Sequence, residues 1–315
     1  MAVGVTSGYY VSSSTTNSYG ANFVPEIWSG KLQVKFYKST VLGEITNNDW
    51  EGEIKDQGDK VNIRTIPTIT ISDYTKGMSL ASQVPTSTPI VLSIDYGKYF
   101  NVVVDDVDAT QADVKLMDMF TNDAAQQMKI AIDGLVLTQL ATGGASTTPL
   151  AAAANQGNSA GASSANLALG VTATPVTLTK ANVLDTILNM GQALDEQNVP
   201  EDGRWLVIPA WMGALIKNSD LKQAYLTGDD TSILRNGKMG MIDRFTLYVS
   251  NNLYTASSKT TIMAGTRDAV SFASQITNVE TLRSTSTFGN IMRGLNVFGF
   301  KVVKPEALVA AVVTK

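Results

Sequence analysis

Leu194-Asp-Glu-Gln-Asn-Val-Pro200 is followed at once by Gly203-Arg-Trp-Leu-Val-Ile-Pro209. Upstream, Leu184, Ile187, Leu188, Gly191 and Leu194 recur at three- and four-residue intervals, the spacing of an amphipathic helix. Asn198-Val-Pro200 stops that helix, because proline lacks the N–H that the next turn needs. Trp205 to Ile208 is a continuous apolar run between Gly203 and Pro209, which predicts a buried strand. Helical spacing resumes from Trp211 to Leu215.

Working outward, Phe245, Leu247 and Val249 alternate as a strand and Asn251-Asn252 turns. Thr261 to Ala264 reads as a short strand, Phe288 to Val297 as a helix and Ala307 to Val313 as a closing strand. Toward the N-terminus, Asp108 and Gln111 form a capping box. Met117, Phe120, Ala124, Met128, Ala131 and Leu135 then make one apolar stripe, ended by Gly143-Gly144. A continuous helix from about Thr110 to Thr142 would be roughly 50 Å long, a spine for other elements to pack on. Before it, Val61, Ile63, Pro67, Ile69 and Ile71 fall on alternate positions, as do Ile90, Leu92, Ile94 and Tyr96, continued by Val102 and Val104. Two period-two runs joined by a long connection make an extended hairpin. Pro67 marks its first strand as an edge. So thin a hairpin cannot bury its own apolar face and must lie on something else. Strands and helices interleave without a βαβ rhythm, which predicts an α+β fold.

Composition narrows the function. The chain has 315 residues, 44% hydrophobic and 17% charged, with a net charge of −4. It has no histidine and no cysteine. Disulfides, thiolate nucleophiles, zinc fingers and a Ser-His-Asp triad are therefore excluded within it. Gly157-Asn-Ser159-Ala-Gly161 matches the pattern of a nucleophile elbow, but that chemistry needs a histidine base and a strand-to-helix turn. Asp105, Asp106 and Asp108 precede a helix start, where carboxylates act as caps more often than as cation ligands. Asn236-Gly-Lys-Met-Gly240 is too sparse in glycine for a phosphate cradle. The basic residues are scattered, so contact with nucleic acid is expected to be non-specific. No cofactor, no metal and no membrane span are expected.

Two segments lack the pattern of a packed core. Residues 1–24 are rich in Ser, Thr, Tyr and Gly and carry no charge, the composition of a disordered terminus or of an arm that orders only against a neighbouring chain. Tyr9, Tyr10 and Tyr19 are its candidate anchors. Residues 143–175 are uncharged and small, which reads as a flexible insertion.

Three groups of residues carry a family resemblance. Leu194 to Pro200 with Gly203 to Pro209, Asn236 to Gly240 with Phe245 to Leu253, and Gly299-Phe-Lys-Val-Val-Lys-Pro305-Glu-Ala-Leu308 resemble stretches of tailed-phage major capsid proteins, in order and spacing. The resemblance implies the Hong Kong 97-type capsid fold. It implies an N-terminal arm (1–24), an extended β-hairpin loop (58–98) and a peripheral domain on a spine helix (25–57, 99–142 and 284–305). The axial domain and closing strand would take 176–283 and 306–315. The implied function is structural: hexamers and pentamers of an icosahedral head around double-stranded DNA, assembled in the host cytoplasm and carried in the virion. The implied partners are further copies of the chain, with scaffolding, portal and decoration proteins. The expected inter-subunit contacts are Tyr9, Tyr10, Tyr19, Ile69, Ile71, Tyr74, Lys76, Met78 and Leu80. An encapsulin-type compartment shell is the alternative on the same fold, and a Ser159–lysine hydrolase a remote one.

Overall fold

The computed structural model describes residues 37–50, 60–106 without 68 and 81, 116–143, 167, 169–219 and 240–315 without 286. Tyr9, Tyr10, Tyr19, Asp108, Gln111, Ser159, the 143–175 insertion beyond Gly143 and before Leu167, and all of Asn236 to Gly240 except Gly240 lie outside the described residues.

The stretch from Val183 to Lys217 forms as its periodicity predicts. Helix α3 (Val183–Glu196) ends before Pro200, β5 (Arg204–Ile208) is buried at every position, and α4 (Ala210–Lys217) follows at Pro209. Asn198 and Gly203 both take positive φ, so the helix reverses into the strand within a few residues. β5 lies in the middle of a sheet ordered β4-β12-β9-β5-β7-β6. Its other members are β4 (Val176–Thr177), β6 (Met241–Ile242), β7 (Phe245–Val249), β9 (Lys259–Thr266) and β12 (Leu308–Thr314), with β8 (Thr255–Ala256) pairing on β9. β5 runs parallel to β7 and antiparallel to β9, a mixed sheet consistent with α+β.

The long helix α2 (Leu116–Thr142) spans about 40 Å. Its C-terminal half buries Ile132, Val136, Leu137 and Leu140 in the main core, beside the expected stripe, whose Phe120 and Ala131 are exposed; the same core takes Ile187, Met190 and Leu194 from α3, Ile262, Met263 and Ala264 from β9 and most of β12. Nearer its start, Thr121 Oγ1 donates to Met292 Sδ (2.7 Å) of a second sheet. That sheet is antiparallel, ordered β10-β11-β3, from β3 (Tyr96–Asp105), β10 (Val270–Arg283) and β11 (Gly289–Val302).

The helix expected over Phe288 to Val297 is instead most of β11. Phe288, Ile291, Met292 and Leu295 fall at helical spacing only because a central strand between two neighbours carries apolar residues on both faces. Met292 is buried on the α2 side, whereas Leu295 faces outward and is exposed. β10 alternates weakly in sequence, and its ladder with β11 is what makes it a strand.

The two period-two runs pair as β1 (Lys60–Ile63) and β2 (Ile90–Ser93), with Lys60 opposite Ser93 and Ile63 opposite Ile90. The first run was expected to stay a strand to Ile71, but the backbone ladder stops at Ile63. Pro89, next to Ile90 on the returning arm, and Pro67 on the first have no N–H to give to a ladder, and from Thr65 outward side chains take over the pairing.

Candidate subunit-association surface

Beyond Ile63 the two arms continue as a ribbon in the register of the ladder. Thr65 Oγ1 donates to the Thr88 carbonyl (2.9 Å), Gln83 Nε2 donates to the Thr70 carbonyl (2.7 Å), and the Met78 N–H donates to the Thr75 carbonyl (3.1 Å) at the tip. Gly77 takes φ +89° there, which suits glycine. In this register Ile69 stands opposite Val84, Asp73 opposite Leu80 and Thr75 opposite Met78. Opposite residues of an antiparallel pair share a face. Ile69, Ile71, Met78, Leu80 and Val84 therefore form one apolar face, and Thr70, Ser72 and Gln83 fall on the other.

That apolar face begins inside the molecule and ends outside it. At the base, Ile63 and Leu92 point the same way and are buried in a satellite core with Ile94 and Ala273, joined by Val297 and Trp50. Farther out the same face meets solvent: Ile71 is 89% exposed, Val84 86% and Leu80 75%. Soluble monomers rarely expose a contiguous apolar run of this kind.

The expected contact residues sort by this geometry. Ile69, Ile71, Met78 and Leu80 are exposed on the apolar face. Tyr74 is exposed on the opposite face, and Lys76 is exposed in the tip turn. Val84 belongs with the first group and was missed. Its signal was present, because it keeps the same even-numbered alternation as Ile90 and Leu92.

Two clusters hold the frame beneath the ribbon. The first is centred on Asp133, a buried carboxylate on α2. Its Oδ1 accepts the Val41 N–H (2.9 Å) and the Leu42 N–H (3.0 Å), which caps the one-turn helix α1 (Leu42–Ile45). Its Oδ2 accepts Asn252 Nδ2 (2.7 Å). Ser39 Oγ donates to the Val249 carbonyl (2.9 Å), so Val249-Ser-Asn-Asn-Leu253 forms one hydrogen-bonded knot with the segment before α1. Asp133→Ala would leave three donors without an acceptor. It is expected to destabilise the unassembled subunit by roughly 3 kcal/mol or more, read as a lower urea midpoint at unchanged slope. A loss below about 1 kcal/mol would show that the knot is ornamental.

The second cluster explains the Leu194 to Pro209 stretch. The buried Arg204 guanidinium donates to the Val199 carbonyl (2.6 Å) and the Pro200 carbonyl (2.9 Å), and pairs with Asp195 (2.7 Å). Arg244 pairs with Asp195 (2.8 Å) and Glu201 (2.6 Å). Burial opposes the charge of Asp195, but the hydrogen bonds from Arg204 and Arg244 outweigh it and hold the carboxyl below its ordinary range.

At the far end of the three-stranded sheet, Asp106 and Arg283 form a two-pronged ion pair. The hydrogen bond and the charge of Arg283 together hold the Asp106 carboxyl below its ordinary range against the opposing effect of burial. The pair staples β10 to the chain after β3.

Both carboxylates have depressed folded values. Their stabilising contribution is present above the unfolded value near 3.9 and disappears as pH falls through the folded value. With no histidine in the chain, the melting temperature of the subunit is expected to stay level between about pH 5.5 and 8.5 and to drop below about pH 4. A step between about pH 6 and 7 would contradict this account.

Among the described residues no group of three or more Asp or Glu side chains is placed to hold a metal ion, and no helix is long and apolar enough to cross a membrane. A family model described as phage capsid protein matches residues 89–311. A solved structure from Mycobacterium phage Che8 is 26% identical, covering 93% of this chain and 97% of that one at a TM-score of 0.73. The capsid of cyanophage P-SCSP1u is 14% identical over 93% of this chain and 94% of that one, at a TM-score of 0.67. The capsid of Ralstonia phage GP4 is 14% identical over 96% and 99%, at 0.63. No curated protein sequence matches the chain. The α+β fold with its ribbon, long helix and two sheets is thus the Hong Kong 97-like capsid fold, and the role is structural and not enzymatic. By its family model this chain belongs to the phage capsid proteins, and the fold it shares with these solved structures agrees with the part of major capsid protein in a tailed-phage virion.

Proposed function

We propose that the chain tiles into hexamers and pentamers of a closed icosahedral head around double-stranded DNA, with each ribbon laid over a neighbouring subunit. The observation that carries this reading is the apolar face of the ribbon, which is buried by the chain's own body at Ile63 and Leu92 and left without cover from Ile69 outward. Fully burying an exposed aliphatic side chain contributes about 1.5–3 kcal/mol before the costs of association. Each contact is modest, but a closed shell repeats it around every ring, so the assembly opens only when many contacts fail together.

The arm at 1–24, with Tyr9, Tyr10 and Tyr19, is assigned a second contact on a neighbour. The peripheral domain takes the spine helix and the β10-β11-β3 sheet, and we set its boundary with the axial domain between Ala269 and Val270, because β10 shares its ladder with β11. Contact with packaged DNA is non-specific, as the scattered basic residues and net charge of −4 favour no sequence readout. Scaffolding, portal and decoration proteins are the further partners, and assembly takes place in the host cytoplasm.

Electron microscopy of particles purified from producing cells, with nuclease-protected DNA measured alongside, tests the reading. Icosahedral particles holding double-stranded DNA are expected. Particles packed with protein instead would favour the compartment shell, and a chain that stays monomeric would sink both.

A further inference from the structure

The outer face of the three-stranded sheet, turned away from α2, is built in rows. Tyr99 and Leu295 are cross-strand partners and form one exposed apolar row. Val103 and Leu282 flank Ile291 in another. Between the two stands Arg293, whose Nε donates to Glu280 (2.5 Å). The terminal nitrogens of Arg293 have no partner among the described residues. A shallow hollow of about 400 Å³ lies over Tyr99, Leu295 and the ion pair.

One end of this same face is already covered. Val297 and Ala273 lie under the ribbon base, in the satellite core with Ile63 and Leu92. The chain therefore packs the apolar face of a ribbon on the outer face of this sheet within itself. Both surfaces then run on without cover, the sheet through Leu295 and Arg293, the ribbon through Ile71 and Met78.

The bare parts match in spacing and charge. Same-face positions recur every two residues, about 7 Å apart. On the ribbon they read Ile71, then Asp73 beside Leu80, then Met78. On the sheet they read apolar, Arg293, apolar. Asp73 is exposed and has no partner among the described residues.

Resting on the self-association reading above, we propose that the ribbon of a second copy lies on this face with Asp73 seated on Arg293 and with Ile71 and Met78 on the two apolar rows. The ion pair fixes the register. Slipping by one row would press the Asp73 carboxylate onto an apolar row, where an unpaired charge is costly. The pair thus adds specificity to a contact whose affinity comes from apolar burial.

Two experiments decide it. Because the chain has no cysteine, Asp73→Cys and Arg293→Cys can be made in separate chains, mixed, assembled and treated with a short bis-maleimide, whose reach matches the roughly 10 Å between packed sheets. A cross-link between chains is expected at about tenfold or more over either variant alone. A yield no higher than that of the separate variants overturns the proposal. In the second, Asp73→Arg should reduce shell yield about tenfold or more, and Asp73→Arg with Arg293→Asp in one chain should recover most of it. Wild-type assembly by Asp73→Arg, while Met78→Asp/Leu80→Asp fails to assemble, would leave the ribbon reading standing and remove this register. Wild-type assembly by both would remove the ribbon reading itself.

Discussion

A subunit carrying Met78→Asp and Leu80→Asp should fold normally and form no shells. Leu80 is 75% exposed and Met78 41% exposed in the single chain, so neither carboxylate is buried until a second copy arrives. Surface substitutions of this kind usually change subunit stability by less than about 0.5 kcal/mol. In the assembled state both would sit on the apolar face that includes Ile69, Ile71 and Val84. Desolvating an unpaired carboxylate costs several kcal/mol, so the concentration needed for assembly should rise on the order of a hundredfold or more. Circular dichroism and thermal melting would establish the folded subunit, and sedimentation with negative-stain microscopy would count shells. Shells at wild-type yield would end the case for the ribbon as the association element.

Gly299→Val is expected to do the opposite, striking the subunit before assembly begins. A Cβ at Gly299 would overlap the Ser93 carbonyl oxygen and lie 2.9 Å from Ile94 Cα. Both obstacles are backbone, so neither can swing away. Either β2 lifts from β11 or the satellite core around Leu92 and Ala273 opens. Overpacking of this kind costs about 1–3 kcal/mol, and more when backbone must move. Gly294→Ala is the control. Its Cβ would meet the Phe100 ring first, a side chain and not backbone, so its cost should be smaller. The comparison is made by urea denaturation of the two purified subunits. Equal midpoints would show that the crossing of β2 over β11 is not held by this close approach. The same crossing gives a physical reason for glycine at the head of Gly299 to Pro305: the ribbon base passes directly above it.

Several elements were legible because their cause is local. The run Trp205 to Ile208 buries a strand that a single segment can declare by its own composition, and the stripe from Phe120 to Leu135 declared a helix, though α2 buries the adjacent face of Ile132, Val136, Leu137 and Leu140 while Phe120 and Ala131 stay exposed. The ribbon was legible for the same reason, since Val61, Ile63, Ile90 and Leu92 announce one face at period two. The lack of histidine and cysteine excluded most catalytic chemistry before any coordinate was needed. β11 misled because it is a central strand. Apolar residues on both its faces mimicked a helical stripe, and only its two neighbours show which period is real. Asp133 was also overlooked. A charge at helical spacing from Val136, Leu137 and Leu140 was the available signal, but its partners lie some 90 and 119 positions away.

Sequence by itself therefore settled the element types where neighbours in the chain supply the period, the α+β class, and the chemistry this protein cannot perform. Tertiary structure alone decided which faces stay bare. The apolar side of the ribbon is one continuous surface by its pattern, yet its inner half is covered by Ala273 and Val297 and its outer half is not. That boundary is set by where another part of the chain happens to end in space. No local period encodes such a distance, and the position of the uncovered half is what makes the chain a building block.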